Sequence, residues 1–293
     1  MRLGEDVGHV PLGEDFGRVP LGEDFGLDAA GYDAGRPDEP AALYDAVAAE
    51  AGPIAGARVL EIGAGTGRAT RVLLARGATS VHAVEPDPRM AARLVGLDRV
   101  TREIARFETA NPGRGYDLAV AASAFHWVAE PAAALGRLRA MLAPGGGVAL
   151  WYAVHADPDG PDAFARALAP FWAEAASGHE LRRRQGAGPP SEARGCRRLG
   201  AAGFERVRHH RLAWTVEQDA TALAALYASF SPVRALAPDA RRRLLEAVGR
   251  LAREDFGGRV RRRYAVTLFT ARAPERARGP GGARGLARRP RPG

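Results

Sequence analysis

Val59-Leu-Glu-Ile-Gly-Ala-Gly-Thr-Gly67 is a short apolar run followed at once by three alternating glycines, and a helical pattern begins directly after it. Glycines in such a turn let the backbone bend sharply and approach a ligand closely. The first turn of the helix presents N–H groups without intrahelical partners, which favour an anionic group. The stretch therefore predicts a strand–turn–helix unit that binds the acidic end of a ligand.

Around this unit, short apolar runs with β-strand character alternate with helical patterns. Such alternation favours βαβ units around a mostly parallel sheet, so we predict an α/β fold with a cofactor-binding core over 57–154. The predicted strands of this core are 57–62, 80–84, 100–104, 117–122 and 147–154, and the predicted helices are 38–50, 66–76, 87–94 and 131–142.

The second half of the chain is less regular. Two further strands are predicted at 204–214 and 261–271, with helices at 162–176, 191–202, 221–229 and 238–256. These helices would form a cap above the carboxyl edge of the sheet, where α/β proteins bind their ligands. We therefore expect a largely helical cap and substrate region over 155–258, within one domain that covers 27–271.

Both ends of the chain differ from this body in composition. Residues 1–26 repeat a nine-residue unit with six acids against two arginines, and each unit is too short to pack as a solenoid repeat. Residues 272–293 are rich in Arg, Gly and Pro, with little apolar surface to bury. We predict a disordered acidic arm at 1–26 and a disordered tail at 272–293.

Composition excludes several classes of protein. The chain has 293 residues, of which 46% are hydrophobic, and Cys196 is the only cysteine, so a disulfide-rich secreted fold is excluded. The start is acidic and no stretch is apolar enough to span a membrane, so we predict a cytoplasmic protein without membrane association. Of the net charge of +8, residues 271–293 contribute +6, residues 27–270 another +6 and the acidic arm −4, and the arginines are not interleaved with aromatic residues. This pattern disfavours a nucleic-acid partner.

A second carboxylate supports a nucleoside ligand. Glu85 ends the second predicted strand about 20 residues after the glycines, where an acid accepts hydrogen bonds from a ribose diol. A dinucleotide fingerprint would need a third small residue at position 68, and Arg68 stands there instead. The combination therefore favours a nucleoside-containing cofactor other than a nicotinamide dinucleotide.

Residues 27–271 resemble a class I S-adenosylmethionine-dependent methyltransferase of the small-molecule type. Besides the stretch at 59–67, the resembling segments are Ala83-Val-Glu-Pro-Asp87, Asp117-Leu-Ala-Val-Ala-Ala-Ser-Ala-Phe-His-Trp127 and Leu142-Ala-Pro-Gly-Gly-Gly147. The resemblance implies a doubly wound, Rossmann-like sheet of seven strands in the order 3-2-1-4-5-7-6, with the last strand antiparallel. It also implies S-adenosyl-L-methionine as cofactor and methyl transfer to a small molecule by in-line displacement.

The resemblance assigns cofactor contacts residue by residue. Glu61 would contact the methionine ammonium, directly or through water, and Glu85 would hold the ribose hydroxyls. Pro86 and Asp87 would lie beside the adenine. The methionine and ribose would lie against the turn formed by Gly63, Ala64, Gly65, Thr66 and Gly67.

The segment after the third strand usually reads the adenine edge, and here it contains Phe107 and Glu108. Glu108 stands one or two positions later than the acid of many relatives, which leaves open which group meets the adenine amine. Ala122 and Ser123 would flank the sulfonium. Tyr32 and Arg36 resemble the segment that folds over the cofactor, with Arg36 available for a carboxylate.

Histidines at three places in the chain are candidates for further chemistry. His126 follows the fourth strand and could take a proton from the acceptor, or it could only fix its loop. His155 and Asp157 follow the fifth strand and could contact a substrate, but no third ligand has metal-type spacing. His209 and His210 are adjacent on a predicted strand and point to opposite faces. We therefore assign no metal.

Two alternatives to a small-molecule methyltransferase stay open. One is a cofactor-binding protein of the same fold without catalysis, because fold does not fix function. The other is a nucleic-acid methyltransferase that uses the arginine tail, which we rank lower because the fourth strand lacks a base-flipping motif. A monomer or a homodimer fits either class.

Overall fold

The computed structural model describes residues 25–157, 159–177 and 190–275. The strands are β1 Arg58–Ile62, β2 Ser80–Val84, β3 Val100–Glu103, β4 Tyr116–Ala122, β5 Leu142–Val154, β6 Glu205–Asp219 and β7 Arg259–Arg272. The helices are α1 Ala29–Gly35, α2 Ala41–Glu50, α3 Arg68–Ala75, α4 Pro88–Ala91, α5 Pro131–Met141, α6 Ala163–Ala176, α7 Glu192–Ala201, α8 Ala220–Ala228, α9 Ser231–Arg234 and α10 Pro238–Glu254. Short 3-10 helices lie at Phe25–Asp28, Ala92–Leu94 and Phe125–Trp127.

The strands form one seven-stranded sheet in the order β3-β2-β1-β4-β5-β7-β6. Strands β1 to β5 pair in parallel, and β7 runs antiparallel to both β5 and β6. This topology confirms the predicted fold class. Because the order reverses between β1 and β4, the carboxyl ends of these two strands flank a crevice that suits a ligand.

Both faces of the sheet are covered, as the apolar strand sequences require. Successive residues of β1 alternate between two clusters: Val59 packs with α2 and α3, and Leu60 packs with α5 and α7 on the other side. The same alternation separates Leu118 from Ala119 on β4. Two complete layers of helix therefore fix the strand ends that form the crevice.

The cap packs around a third apolar cluster, formed by α6, α8, α9 and α10. At its base, Arg262 of β7 is only 3% exposed, and it donates hydrogen bonds to Asp162 Oδ2 at 2.8 Å and to the hydroxyl of Tyr227 at 2.8 Å. The rings of Phe164, Tyr227 and Tyr264 surround the guanidinium. A fully paired buried cation thus joins the cap to the sheet.

Several predicted boundaries differ from the observed ones. The fifth strand begins at Leu142 rather than after the Pro-Gly turn, because residues 142–147 of β5 bulge against β4 between Tyr116 and Leu118. The sixth strand continues five residues beyond Trp214, since Thr215–Asp219 pair with Arg259–Arg263 of β7. The segment 29–35, for which no helix or strand was predicted, is the helix α1, which packs on α8.

Most of the two predicted terminal segments, 1–24 and 276–293, lies outside the described residues. Where the structure begins, the N–H of Gly26 donates to Asp87 Oδ2 at 3.0 Å. At the other end, β7 includes Arg272, and the N–H of Ala273 donates to the carbonyl of Gly146 at 2.8 Å. Among the helices that the structure describes, none is long and apolar enough to cross a membrane.

Candidate cofactor and acceptor site

The glycine-rich turn lies between the ends of β1 and β4. Gly63 has φ +67°, and a Cβ on it would come within 2.3 Å of the Cβ of Ala124. The N–H groups of Gly63 and Ala64 both donate to the carbonyl of Val84 at the end of β2. Only glycine allows the turn to come this close to the neighbouring loop. Gly63, which was predicted to bend the backbone, therefore also sets the width of the crevice.

Glu85 joins the turn to the end of β2. Its Oε2 accepts the N–H of Gly65 at 2.8 Å, and its Oε1 accepts the N–H of Asp87 at 3.0 Å. The side chain is buried, and this burial raises its pKa although the two backbone N–H groups favour the charged form. A carboxylate can accept about four hydrogen bonds. Glu85 therefore keeps capacity for a diol while it anchors the turn.

Glu61 is a buried carboxyl group with one free oxygen. It is 1% exposed; Oε2 accepts the hydroxyl of Thr70 at 2.6 Å, and Oε1 is buried with no hydrogen-bond partner. Burial raises the pKa of Glu61 to about 8; the bond from Thr70 opposes this rise, whereas the charges of Glu39 and Glu85 add to it. An unpartnered buried acceptor is costly unless a ligand satisfies it. The environment of Glu61 suits a cationic donor.

Helix α1 covers the turn and is bonded to it. Asp33 accepts the hydroxyl of Thr66 through Oδ1, and its backbone carbonyl accepts Arg68 Nη1 at 3.1 Å. Arg68 also pairs with Asp38 at 2.6 Å. These contacts place the residues that follow α1 directly above the crevice.

Arg36 follows α1 and faces the same crevice. Its guanidinium carbon lies 4.6 Å from the ring centroid of Tyr32, and its Nε is buried with no hydrogen-bond partner. No carboxylate within the described residues pairs with it. A guanidinium whose buried Nε has no partner is complementary to an anionic group of a ligand.

A small cavity of about 60 Å³ lies between α1 and the carboxyl edge of the sheet. Ligand sites for drug-sized molecules measure roughly 300 to 1,000 Å³. The segment from α1 to Glu39 must therefore move away from the turn before a nucleoside-containing molecule can enter. Lining residues predicted from the sequence are Tyr32, Arg36, Glu61, Gly63, Ala64, Gly65, Thr66, Ala122 and Ser123.

Other predicted site residues lie outside the lining of this cavity. These include Gly67, which has φ +85° and precedes α3, and Glu85 and Pro86, which follow β2. The carboxylate of Asp87 accepts hydrogen bonds from Gly26 and Arg89, and these lower its pKa although burial opposes ionisation. Phe107 is buried in the core against α5, and Glu108 accepts the N–H of Ala129 at 2.9 Å. The structure therefore gives Asp87, Phe107 and Glu108 partners within the chain.

The end of β4 has an unusual backbone. Ser123 has φ +49°, a left-handed conformation that costs energy in a residue with a side chain. Its Oγ accepts the N–H of Ala153 at 3.0 Å, and its own N–H donates to the carbonyl of Trp151. Strand ends β4 and β5 are thus fixed to each other where the crevice opens.

His126 lies beyond Ser123, next to the rings of Trp127 and Tyr152 at centroid distances of 4.6 and 5.7 Å. Its Nδ1 is buried without a hydrogen-bond partner. Burial, with a smaller effect of the charge on Arg36, lowers the pKa of His126 to about 4. The imidazole is therefore neutral at physiological pH.

The structure adds cavity residues that were not assigned from the sequence: Pro37, Glu39, Arg68, Ala69, Ala153 and His155. Glu39 accepts the hydroxyl of Tyr44 at 2.9 Å and the indole N–H of Trp151 at 3.0 Å. Tyr44 and Trp151 lie far apart in sequence, so no local sequence pattern could have indicated that Glu39 contacts both. For His155, the sequence predicted contact with a substrate but no position in this cavity.

Comparison with known proteins identifies the family. A family model described as a methyltransferase domain matches residues 32–209, which include the turn, Glu85 and Ser123. The chain belongs to this methyltransferase-domain family, and its fold is that of the class I S-adenosylmethionine-dependent methyltransferases.

Individual relatives resemble only part of the chain or only its fold. An uncharacterized methyltransferase of Mycobacterium tuberculosis is 36% identical over 123 residues, which are 41% of this chain and 47% of that protein. The match thus spans about half the length of that curated relative. The structure of a proposed type II methyltransferase from Anaeromyxobacter dehalogenans aligns with a TM-score of 0.56 at 23% identity, over 82% of this chain and 99% of that one.

A second solved structure also shares the fold. Phosphoethanolamine N-methyltransferase 2 of Haemonchus contortus, in complex with S-adenosyl-L-methionine, aligns with a TM-score of 0.53 at 15% identity. The alignment covers 88% of this chain and 61% of that one.

Proposed function

We propose that this protein binds S-adenosyl-L-methionine and transfers its methyl group to a small-molecule acceptor. One observation carries the proposal: the crevice holds two unpartnered groups of opposite character, the buried Oε1 of Glu61 and the buried Nε of Arg36. An amino-acid moiety carries an ammonium and a carboxylate, and it satisfies both groups at once. Membership of the methyltransferase-domain family supports this assignment.

The nucleoside half of the cofactor suits the end of β2. Glu85 accepts the ribose diol with the capacity that Gly65 and Asp87 leave free. The adenine lies beside Pro86 and Asp87, and the segment with Phe107 and Glu108 forms the far wall. The turn from Gly63 to Gly67 lies under the methionine and ribose, and Ala122 and Ser123 flank the sulfonium.

Bound S-adenosyl-L-methionine supplies an activated methyl group, which an acceptor takes by in-line displacement. The chain therefore has to position the acceptor and exclude water rather than create a strong nucleophile. Helix α1 excludes water from the crevice, because the hydrogen bonds of Asp33 to Thr66 and Arg68 hold the helix over it. His126 is a neutral proton acceptor near the end of β4.

Calorimetric titration with S-adenosylhomocysteine tests the cofactor assignment. Glu85→Ala removes the diol acceptor and should weaken binding about 100-fold, since hydrogen bonds to a charged group contribute about 1.5 to 3 kcal/mol each. Glu103→Ala is the matched control. Glu103 ends the neighbouring strand and also accepts a backbone N–H, that of Asn111 at 2.6 Å, but its other oxygen pairs with His82 Nε2 at 2.9 Å instead of with the glycine-rich turn.

Absence of binding to the intact protein would refute the proposal. Equal losses in the two variants would show that Glu85 acts only through the stability of the fold. Binding without transfer to any acceptor would favour the non-catalytic alternative instead. Salt-sensitive binding that disappears on removal of 272–293 would favour a nucleic-acid acceptor.

A further inference from the structure

His155 has the geometry of a group that meets the acceptor. It directly follows β5, and its ring lines the cavity beside Ser123 and Ala153. The rings of Tyr264 on β7 and Phe230 in the cap pack against it, at centroid distances of 5.5 and 5.8 Å. Within the described residues, neither ring nitrogen has a hydrogen-bond partner. A held imidazole with free nitrogens is available to a ligand in the cavity.

The imidazole of His155 is neutral. Burial lowers its pKa well below the usual value, and the charges of Arg36, Arg262 and Arg68 lower it further. A neutral imidazole accepts a hydrogen bond through one nitrogen and donates one through the other. It can therefore bind a hydroxyl group in either its protonated or its ionised form.

The charged side chains that line the cavity within the described residues balance each other, with Arg36 and Arg68 against Glu39 and the carboxylate of Glu61. Both oxygens of Glu39 accept hydrogen bonds, from Tyr44 and Trp151, and Ala122, Ser123 and Ala153 are uncharged. Bound S-adenosyl-L-methionine carries an ammonium, a carboxylate and a sulfonium, so one positive charge of the occupied cavity is left unbalanced. An acceptor that carries negative charge is attracted here, and a protonated amine is repelled.

We propose that the acceptor is a weakly acidic hydroxyl compound, a phenol or an enol, whose oxygen is hydrogen-bonded to His155. This inference rests on the proposed function, because it places the acceptor against the bound cofactor. His126 is less suited to this contact, since its ring lies against Trp127 and Tyr152 and outside the cavity lining. His155 is thus the group that selects the acceptor by its acidity.

The test uses 4-nitrophenol, whose absorbance reports whether it is bound as the phenol or the phenolate. Full-length protein is first saturated with S-adenosyl-L-methionine, whose sulfonium supplies the positive charge, and is then titrated with 4-nitrophenol or with benzylamine. We expect 4-nitrophenol to bind as the phenolate at a pH below its free pKa, and benzylamine to bind at least tenfold more weakly.

Two variants identify the residue responsible. His155→Phe keeps the ring contacts and should lose at least tenfold in 4-nitrophenol affinity while S-adenosyl-L-methionine still binds. His155→Gln keeps a hydrogen-bonding group and should retain part of the affinity. His209→Phe is the control, because His209 lies on β6 near Glu192, away from the cavity.

The outcomes separate the two proposals. If S-adenosyl-L-methionine binds but 4-nitrophenol does not, or if benzylamine binds more tightly, the acceptor class is wrong and the cofactor assignment stands. Unchanged 4-nitrophenol binding in His155→Phe would overturn the role of His155. Failure of the intact protein to bind S-adenosyl-L-methionine overturns both proposals.

Discussion

Gln218 of β6 donates a hydrogen bond through Nε2 to the backbone carbonyl of Gly35, at 3.2 Å. The Oε1 of the same amide accepts the hydroxyl of Tyr264 at 2.5 Å, so both ends of this buried side chain are engaged. Gly35 is the last residue of α1 and precedes Arg36. The bond therefore fixes the position of Arg36 relative to the sheet.

Gly35→Ala should displace α1 from the cap. A Cβ at position 35 would come within 2.3 Å of the backbone N of Leu226 and within 2.4 Å of the backbone carbonyl carbon of Ala225. Neither atom can move without shifting α8, so we expect a loss of about 1 to 3 kcal/mol in the free energy of unfolding. Urea unfolding measures this loss, and S-adenosylhomocysteine affinity should fall with it.

Gly136→Ala is the matched control for that substitution. Gly136 lies within α5, and nothing lies within 4 Å of the Cβ position. This change should raise the free energy of unfolding by about 0.5 to 1 kcal/mol, because alanine is the better helix former. Equal stability of the two variants would contradict the close contact of α1 with α8.

Arg36→Gln should weaken binding of the methionine part of the ligand alone. If the guanidinium of Arg36 takes the carboxylate, S-adenosylhomocysteine should bind about tenfold or more weakly to the variant. Adenosine lacks that carboxylate, so its affinity should be unchanged. Calorimetric titration with both ligands measures the difference; a parallel loss for both would mean that Arg36 only supports the fold of the cover.

Glu61 should release a proton when the cofactor binds. Its pKa of about 8 in the free protein means that the carboxyl group is protonated at pH 7. A ligand ammonium beside Oε1 favours the carboxylate and lowers this pKa. Affinity should therefore rise as the pH increases from 6 towards about 8, because less work is needed to remove the proton.

Titration calorimetry in buffers of different ionisation enthalpy measures this proton release directly. Glu61→Gln has no proton to lose, so its binding heat should be independent of the buffer and its affinity flat over the same range. Buffer-dependent heat of equal size in Glu61→Gln would assign the released proton to another group.

Arg262→Met should destabilise the protein strongly. The change leaves the carboxylate of Asp162 without its buried partner, and breaking one side of a buried ion pair costs about 3 to 5 kcal/mol. Arg259→Met removes the exposed pair with Glu217 on the same strand and should cost about 1 kcal/mol or less. Urea unfolding of both variants compares them, and losses of similar size would contradict the burial of Arg262.

The sequence predicted the strands of the sheet better than it predicted helix α1, which covers the crevice. In strands such as Tyr116–Ala122, the residues from Leu118 to Ala121 are apolar on both faces, and this property is visible without tertiary contacts. Helix α1 contains two glycines and has no apolar periodicity, so it depends on its packing on α8 and on the hydrogen bonds of Asp33 and Gly35 to distant residues. The end of β6 was missed for a similar reason, because Glu217 and Asp219 are polar and the strand there is held by pairing with β7.

In the candidate site, too, some features were predictable from the sequence and others were not. Glu61 lies near the end of β1, and Gly63 and Glu85 directly follow β1 and β2, so the sequence alone could place all three at the carboxyl edge of the sheet. The free Oε1 of Glu61 and the free Nε of Arg36 depend on contacts between distant segments, and these emerged only in the structure.

Helix α1 is hydrogen-bonded on two sides, to the glycine-rich turn and to the edge of the sheet. Thr66 and Arg68 bond to Asp33 on the side of the turn, and Gln218 bonds to Gly35 on the other side. Entry of the proposed cofactor would have to open these contacts. Because Gln218 belongs to the edge strand β6, the helix that covers the crevice is linked to the far edge of the sheet.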